Sequence, residues 1–318
     1  MRNNKNDTQA YMVSVVCDVF NHEPYLRECL EGLVNQVVDF PYEILIHDDA
    51  STDKSAEIIK KYVEAYPSID WKPIYQKENQ FSKGVSIWND IQFPRAKGKY
   101  IALCEGDDYW IDSHKLQKQV DILEADSSLI AVVTNSQTVD ADGNLISQQL
   151  DRIVPNNKEG RYNLREFFKF NNTYPTATIV YRNTNREKRE LMFRKTLNAY
   201  LGDWTLWIIL HTFGDFYYMN EVTSAYRINP TSITHTKVDE RRLGLAEANF
   251  TIIKNVRDIL PDEYADIKKE LKNTAWMWFN LANAYKHLHQ YVKMACCLLI
   301  CGIKNPKLLY KKLRDRNK

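Results

Sequence analysis

The chain has 318 residues, of which 44% are hydrophobic and 26% charged, with a formal net charge of +2. That is the make-up of a globular chain with room for one large domain or two modest ones, and it carries no global signature of a nucleic-acid binder. The first ten residues, M-R-N-N-K-N-D-T-Q-A, form a polar tail without the apolar core of a signal peptide, and no apolar run is long enough for a spanning helix. A cytoplasmic protein with reduced cysteines is therefore expected.

Y-M-V-S-V-V-C-D-V-F (11–20) is β-branched and apolar and predicts a buried strand. Pro24 opens a helix to about Gln36, with Leu26, Leu30 and Leu33 on one face. Y-E-I-L-I-H (42–47) predicts a second strand, followed by D-D-A-S-T-D, in which Thr52 or Asp53 caps a helix to about Tyr66. I-Y (74–75) marks a short third strand, and 79–97 holds a further helix. K-Y-I-A-L-C (99–104) is the fourth strand; Asp112 caps a helix to about Ala125, and L-I-A-V-V-T (129–134) is the fifth. Alternation of this kind implies βαβ units and a mostly parallel, Rossmann-like sheet with helices on both faces.

Beyond 134 the pattern loosens. D-A-D-G-N (140–144) predicts a hairpin turn, and 203–213 a buried helix capped by Asp203 and ended by Gly214. Strands near 215–219 and 222–228 come next, then helices over about 241–259, 262–288, 290–302 and 306–315. A boundary near 236 divides an α/β domain, 11–236, from a helical C-terminal region, 237–318.

In a parallel sheet, ligands bind beyond the carboxyl ends of the strands. Three of those ends are polar or acidic here: Asp18 to Asn21, His47 to Asp49, and Glu105 to Asp108. The last is the most demanding, because I-A-L-C runs straight into E-G-D-D, and like charge at the tip of a buried strand is disfavoured. Either it is a solvated turn or something positive sits there. There is no G-x-G-x-x-G, Walker A motif or G-x-S-x-G elbow. Without a glycine-rich loop, the remaining way to hold a diphosphate is a hard cation such as Mg²⁺ or Mn²⁺ on carboxylates. Cys296, Cys297 and Cys301 near His287 and His289 match no standard zinc spacing.

S-V-V-C-D-V-F-N-H-E-P-Y-L, E-I-L-I-H-D-D-A-S-T-D-K-S, G-K-Y-I-A-L-C-E-G-D-D-Y-W and L-G-D-W-T-L-W occur in that order over residues 11–235. Together they resemble a family 2 glycosyltransferase of GT-A fold, of the type that builds bacterial surface polysaccharides. The resemblance implies transfer from a nucleotide-sugar donor, a UDP-sugar, to a saccharide or lipid-linked acceptor, with inversion and a divalent metal. It implies that Asp18 and Asn21 lie where the first strand meets the nucleotide, that Asp49 accepts the uracil imide N–H, and that Asp107 lies near ribose and metal. It further makes Asp108 the direct metal ligand, Asp203 the catalytic base and His235 an additional ligand as in some relatives. Trp110, Trp204 and Trp207 offer flat faces for sugar rings. Trp88 departs from the family pattern, standing where an arginine is usual, so Lys83 or Arg95 would take over the donor contact. His22 and His47 lie near the site without an assigned role.

Two rival readings share these residues. A catalytically inactive sugar-nucleotide-binding scaffold would not require the intact acidic cluster and Asp203. A nucleotidyltransferase would want a basic glycine-rich loop after the first strand, which is absent. Residues 286–318 carry nine Lys or Arg against Asp315 alone, beside M-A-C-C-L-L-I-C-G-I. They read either as a solvated helical end or as a peripheral contact with anionic membrane lipid.

Overall fold

The computed structural model describes residues 11–150, 153–170, 174–196, 202–229, 239–272 and 274–314. In chain order the elements are β1 (Val13–Val19), α1 (Leu26–Val34), β2 (Tyr42–Asp48), α2 (Ser55–Ala65), β3 (Asp70–Trp71) and β4 (Ile74–Tyr75). A 3₁₀ turn (Phe81–Lys83), a π-helical turn (Ile87–Gln92) and α3 (Phe93–Arg95) lead to β5 (Tyr100–Leu103), β6 (Tyr109–Trp110), α4 (Lys115–Ala125) and β7 (Leu129–Val139). Then come β8 (Leu145–Ser147), β9 (Gly160–Tyr162), α5 (Leu164–Phe170), β10 (Ile179–Arg182), α6 (Arg186–Thr196), α7 (Gly202–His211) and β11 (Asp215–Arg227). The remainder is helical: α8 (Asp239–Ile259), α9 (Ala265–Glu270), α10 (Ala275–His287), α11 (Tyr291–Lys304) and α12 (Pro306–Arg314).

The chain forms two compact units, one of residues 1–190 with 213–228, the other of 191–212 with 229–318. In the first, the sheet runs β3-β2-β1-β5-β10-β7-β11-β6, with β4, β8 and β9 paired to β2, β7 and β11. The N-terminal half, β3-β2-β1-β5, is parallel, as the βαβ pattern requires. The sheet as a whole is mixed, which corrects the expectation of a mostly parallel one. β10 enters between β5 and β7 antiparallel to both, and β6 is antiparallel to β11. Ile179–Arg182 is only four residues long, too short to show a period against the loops around it.

β1 alternates cleanly between two faces. Val13, Val15, Cys17 and Val19 join Leu26, Leu30 and Leu33 of α1, Ile58 and Ile59 of α2, and Leu116, Val120 and Leu123 of α4 in one apolar cluster. Ser14 and Asp18 take the other face, where Ser14 donates to the buried Glu43 at 2.6 Å and Gln92 donates to Asp18 at 2.8 Å. On this face the helical segment expected over 79–97 is broken into the 3₁₀, π and short α pieces, and Phe93 packs edge-on against Tyr181 of β10.

Several boundaries shift. α1 starts at Leu26, and neither Thr52 nor Asp112 is an N-cap. Asp53 instead accepts N–H bonds from Ser55 and from Glu23, both at 2.9 Å, and so ties the β1 and β2 loops together. The two strands expected over 215–228 are one, β11, bulged near Met219 and Val222. The 140–144 turn joins β7 to β8 as expected, with Asp140 accepting from Asp142 and Asn144.

The second unit contains α7 and the C-terminal helices. Thr205 to His211 are buried along α7. α10 and α11 pack through Leu281, Ala282, Ala284 and Cys297 with Ala246 of α8, and Phe279, Ala275 and Cys301 seat Leu308 and Leu309 of α12.

Candidate active site

The site is built at the carboxyl edge of β1, β2 and β5, and backbone geometry knits the three strand ends together. Asn21 takes φ 55° and Ala50 φ 61°, left-handed values that bend the chain sharply after β1 and β2. Asn21 donates its N–H to Ser51 at 2.9 Å, and its side-chain oxygen accepts from the N–H of Thr52 at 2.8 Å. Asn21 therefore holds two strand ends in register. After β5, the N–H of Gly106 donates to the carbonyl of Asp18 at 3.0 Å. A Cβ at Gly106 would stand 2.7 Å from Nδ1 of His22 and 3.0 Å from Val19, so only glycine lets E-G-D-D approach this closely.

Asp108 is buried, and its Oδ1 accepts the main-chain N–H of Arg227 at 2.8 Å. Burial first, and the neighbouring Asp107 second, push its carboxyl well above the usual range. The positive group that folding brings to the E-G-D-D loop is Arg227, at the end of β11. Its guanidinium donates to the carbonyls of Asp107 (2.9 Å), Asp140 (3.2 Å) and Ala141 (3.3 Å), pairs with Glu28 at 2.5 Å, and lies over the rings of Tyr25 and Tyr109. Arg227 escaped sequence reading because S-A-Y-R-I-N is an ordinary strand end, more than a hundred residues from the loop it supports.

Asp18 sits on a floor of neutral donors. Gln92 donates to it at 2.8 Å, and the nearby Trp88 favours its charged form. Burial raises its carboxyl to about 7, with repulsion from Asp49 adding to the rise. Trp88, standing in the usual arginine position, brings no charge to Asp18, and its ring lies 6.0 Å from that of Phe93. Arg95 lies near enough to act on Asp18 electrostatically, but its guanidinium donates to the carbonyl of Lys72.

Asp49 clamps a loop. Its two carboxylate oxygens accept the N–H of Gln80 at 2.7 Å and of Phe81 at 3.0 Å, and its carbonyl accepts from the Asn79 amide at 3.1 Å. Lys83, on the same turn, is exposed and paired with Glu78. His47 is buried with its Nε2 3.1 Å from the Gln76 amide, and burial lowers its pKa.

Trp110 corrects the sugar-platform expectation. It is 3% exposed, its indole N–H donates to the carbonyl of Ala177 at 3.0 Å, and the Lys115 amine covers its ring. The ring is a wall of the core because β6 turns it inward. Trp207 is core as well, whereas Trp204 is half-buried. Asp203 lies in the first turn of α7, in the second unit, with Oδ1 accepting the N–H of Trp204 at 2.7 Å and its carboxyl raised by burial. His235 lies outside the described residues.

Among the described residues, no group of three or more His, Cys, Asp or Glu is arranged to hold a metal ion. Asp107 and Asp108 nonetheless suit a cation that shares its shell with a substrate. Mg²⁺ and Mn²⁺ take hard oxygen ligands, and Mg²⁺ is commonly held by one or two carboxylates plus phosphate oxygens. The repulsion that raises Asp108 is what a divalent charge would relieve.

A parallel half-sheet with an acidic strand-end loop, continued by a mixed half-sheet, is the GT-A architecture of glycosyltransferases. TarS from S. aureus, crystallised with UDP, aligns with a TM-score of 0.58 at 16% identity, over 86% of this chain and 80% of that one. The mannosyltransferase PcManGT from Pyrobaculum calidifontis, in complex with GDP-Man and Mn²⁺, gives 0.57 at 16% identity over 98% of this chain and 80% of that one. Residues 14–198 match the model of glycosyl transferase family 2, and the chain belongs to that family. An uncharacterized protein of Mycobacterium tuberculosis is 31% identical over 236 residues, 72% of this chain. The chain spans 62% of that relative's length. Chondroitin synthase of Escherichia coli is 29% identical over 136 residues, 43% of this chain and 19% of that one.

Proposed function

We propose that the chain is a glycosyltransferase that moves a sugar from a UDP-sugar to a saccharide or lipid-linked saccharide acceptor, with inversion, in surface-polysaccharide assembly on the cytoplasmic side. The observation that carries this reading is the Gly106–Asp18 backbone bond at 3.0 Å, which brings the loop of Asp107 and Asp108 to the carboxyl end of β1. Family membership supports the reaction class. The UDP and GDP-Man complexes of structural neighbours support a nucleotide-sugar donor, and the chondroitin synthase match supports a polysaccharide product.

In this reading Asp18 and Asn21 shape the nucleoside end of the cleft. Asp49 accepts the uracil imide through the lone pairs that remain on its oxygens after Gln80 and Phe81 are bound. Lys83, on the loop Asp49 holds, reaches the diphosphate by exchanging Glu78 for it. Asp107 and Asp108 would hold Mn²⁺ or Mg²⁺ together with the diphosphate, and the family resemblance offers His235 as a further ligand. A cation bound there would supply Lewis-acid stabilisation to the departing nucleoside diphosphate. Asp203 takes the proton of the attacking acceptor hydroxyl; burial raises its carboxyl and makes it a stronger base than an exposed aspartate. Trp204 stacks on a sugar ring.

A thermal-shift screen of nucleotide sugars with and without Mn²⁺, followed by donor consumption with an acceptor panel, tests the proposal. A UDP-sugar should stabilise the protein only with metal present and be consumed when the right acceptor is added. Stabilisation by no nucleotide sugar under either condition overturns it.

A further inference from the structure

The C-terminal end of the second unit presents an apolar face that no described residue covers. α11 is apolar on two opposite sides. Cys297 and Cys301 face inward against α10 and are buried. Val292, Leu299 and Ile303, spaced to fall on one stripe with Cys296, are 80%, 66% and 74% exposed. α12 continues the exposure with Tyr310 at 70% and Leu313 at 44%. It is drawn close to α11 because Gly302 has no side chain: a Cβ there would meet Leu309 at 3.1 Å.

Charge selects the occupant. Between Glu270 and Asp315 the sequence contains no acidic residue, while Lys293, Lys304, Lys307, Lys311, Lys312 and Arg314 lie on or beside the two helices. Lys293 and Lys304 fall on the flank of the α11 stripe, about a quarter to a third of a turn from its centre at the helical repeat. A second copy of this chain would bring an equally basic surface against it, with no carboxylate from this stretch to neutralise either. A bilayer with anionic headgroups satisfies both features. Its acyl boundary takes the apolar stripe, and its phosphates take lysine ammonium groups, whose long methylene stems let the charge reach the headgroup level.

We propose that α11 and α12 form a peripheral docking surface for an anionic lipid bilayer. The surface is interfacial and not spanning: among the described residues no helix is long and apolar enough to cross a membrane.

The test is co-sedimentation of the full chain with vesicles of phosphatidylcholine alone and of equimolar phosphatidylcholine and phosphatidylglycerol. The expected result is pelleting with the anionic vesicles only, weakening as salt is raised. Leu299→Ser with Ile303→Ser should reduce association about tenfold or more while leaving the circular dichroism spectrum and Tm unchanged, since both side chains are exposed. Lys307→Glu, Lys311→Glu and Lys312→Glu together should do the same. Equal pelleting with both vesicle types overturns the proposal, as does undiminished binding by both variants. Self-association that is lost in Leu299→Ser with Ile303→Ser, without vesicle binding by the parent chain, assigns the face to a second copy and also overturns it. No donor or acceptor is present in the assay, so failure here leaves the transferase reading standing, and the reverse holds.

Discussion

Arg227 and Asp108 are joined through the main chain of one and the side chain of the other: the Arg227 N–H donates to Oδ1 of Asp108 at 2.8 Å. The guanidinium of the same residue holds the carbonyl of Asp107 at 2.9 Å and pairs with Glu28. One residue at the end of β11 thus fixes both the backbone and the carboxylate of the acidic loop. Arg227→Met keeps the N–H bond to Asp108 but strands several carbonyls and Glu28. Its expected cost is on the order of 3 kcal/mol in chemical denaturation. Mn²⁺-dependent UDP affinity should fall as the loop loosens; a variant with unchanged stability and unchanged affinity would remove Arg227 as the support.

Asp108→Asn retains an acceptor for the Arg227 N–H and removes the charge. Metal-dependent UDP binding should drop by one to two orders of magnitude, roughly the loss of a strong charge-assisted ligand. Calorimetric titration with and without Mn²⁺ checks this, and unchanged Mn²⁺ dependence would sink the metal assignment.

Gly106→Ala forces a methyl group to 2.7 Å from the His22 ring and 3.0 Å from Val19. Overpacking of this kind costs about 1–3 kcal/mol and should push the acidic loop off the end of β1. Because the nearest obstacle is a side chain, Gly106→Ala with His22→Ala should recover part of both Tm and UDP affinity. A double variant no better than the single one would mean that the Val19 or backbone contact dominates.

Asp18 makes stability fall as pH rises. Its carboxyl is raised from an ordinary 3.8 to about 7, mainly by burial. The native state therefore holds the proton more tightly than the unfolded chain, and stability declines through that window. Asp18→Asn keeps the acceptor for Gln92 and removes the titration. The variant should match the parent in Tm near pH 4 and exceed it by on the order of a few degrees near pH 8. A constant Tm difference across that range would show that Asp18 does not carry the effect.

Under the proposed function, in which Asp203 is the base, Asp203→Asn should leave UDP affinity intact while transfer falls by orders of magnitude. In the parent chain the proposed transfer should rise with pH, with its acid limb above the ordinary carboxylate range, since a carboxylate base works deprotonated and burial raises Asp203. Retained turnover in Asp203→Asn would remove Asp203 as base.

The sequence by itself determined the parts of this protein that rest on local order. Strand–helix alternation over 11–134, the apolar faces of α1, α2 and α4, and the acidic ends of β1, β2 and β5 all follow from side-chain period and residue order within a few residues. Family 2 membership was legible for the same reason, since its motifs are strand ends in a set order. Only the tertiary structure decided what each strand end touches. Asp49 clamping Gln80 and Phe81, Gln92 bonding Asp18, Trp110 turned into the core, β10 inserted antiparallel and Arg227 behind Asp108 are all contacts between segments far apart in the chain. The cost of burying a charge is set by the groups that finally surround it. E-G-D-D could announce a need for positive charge, but only folding could bring Arg227 to meet it.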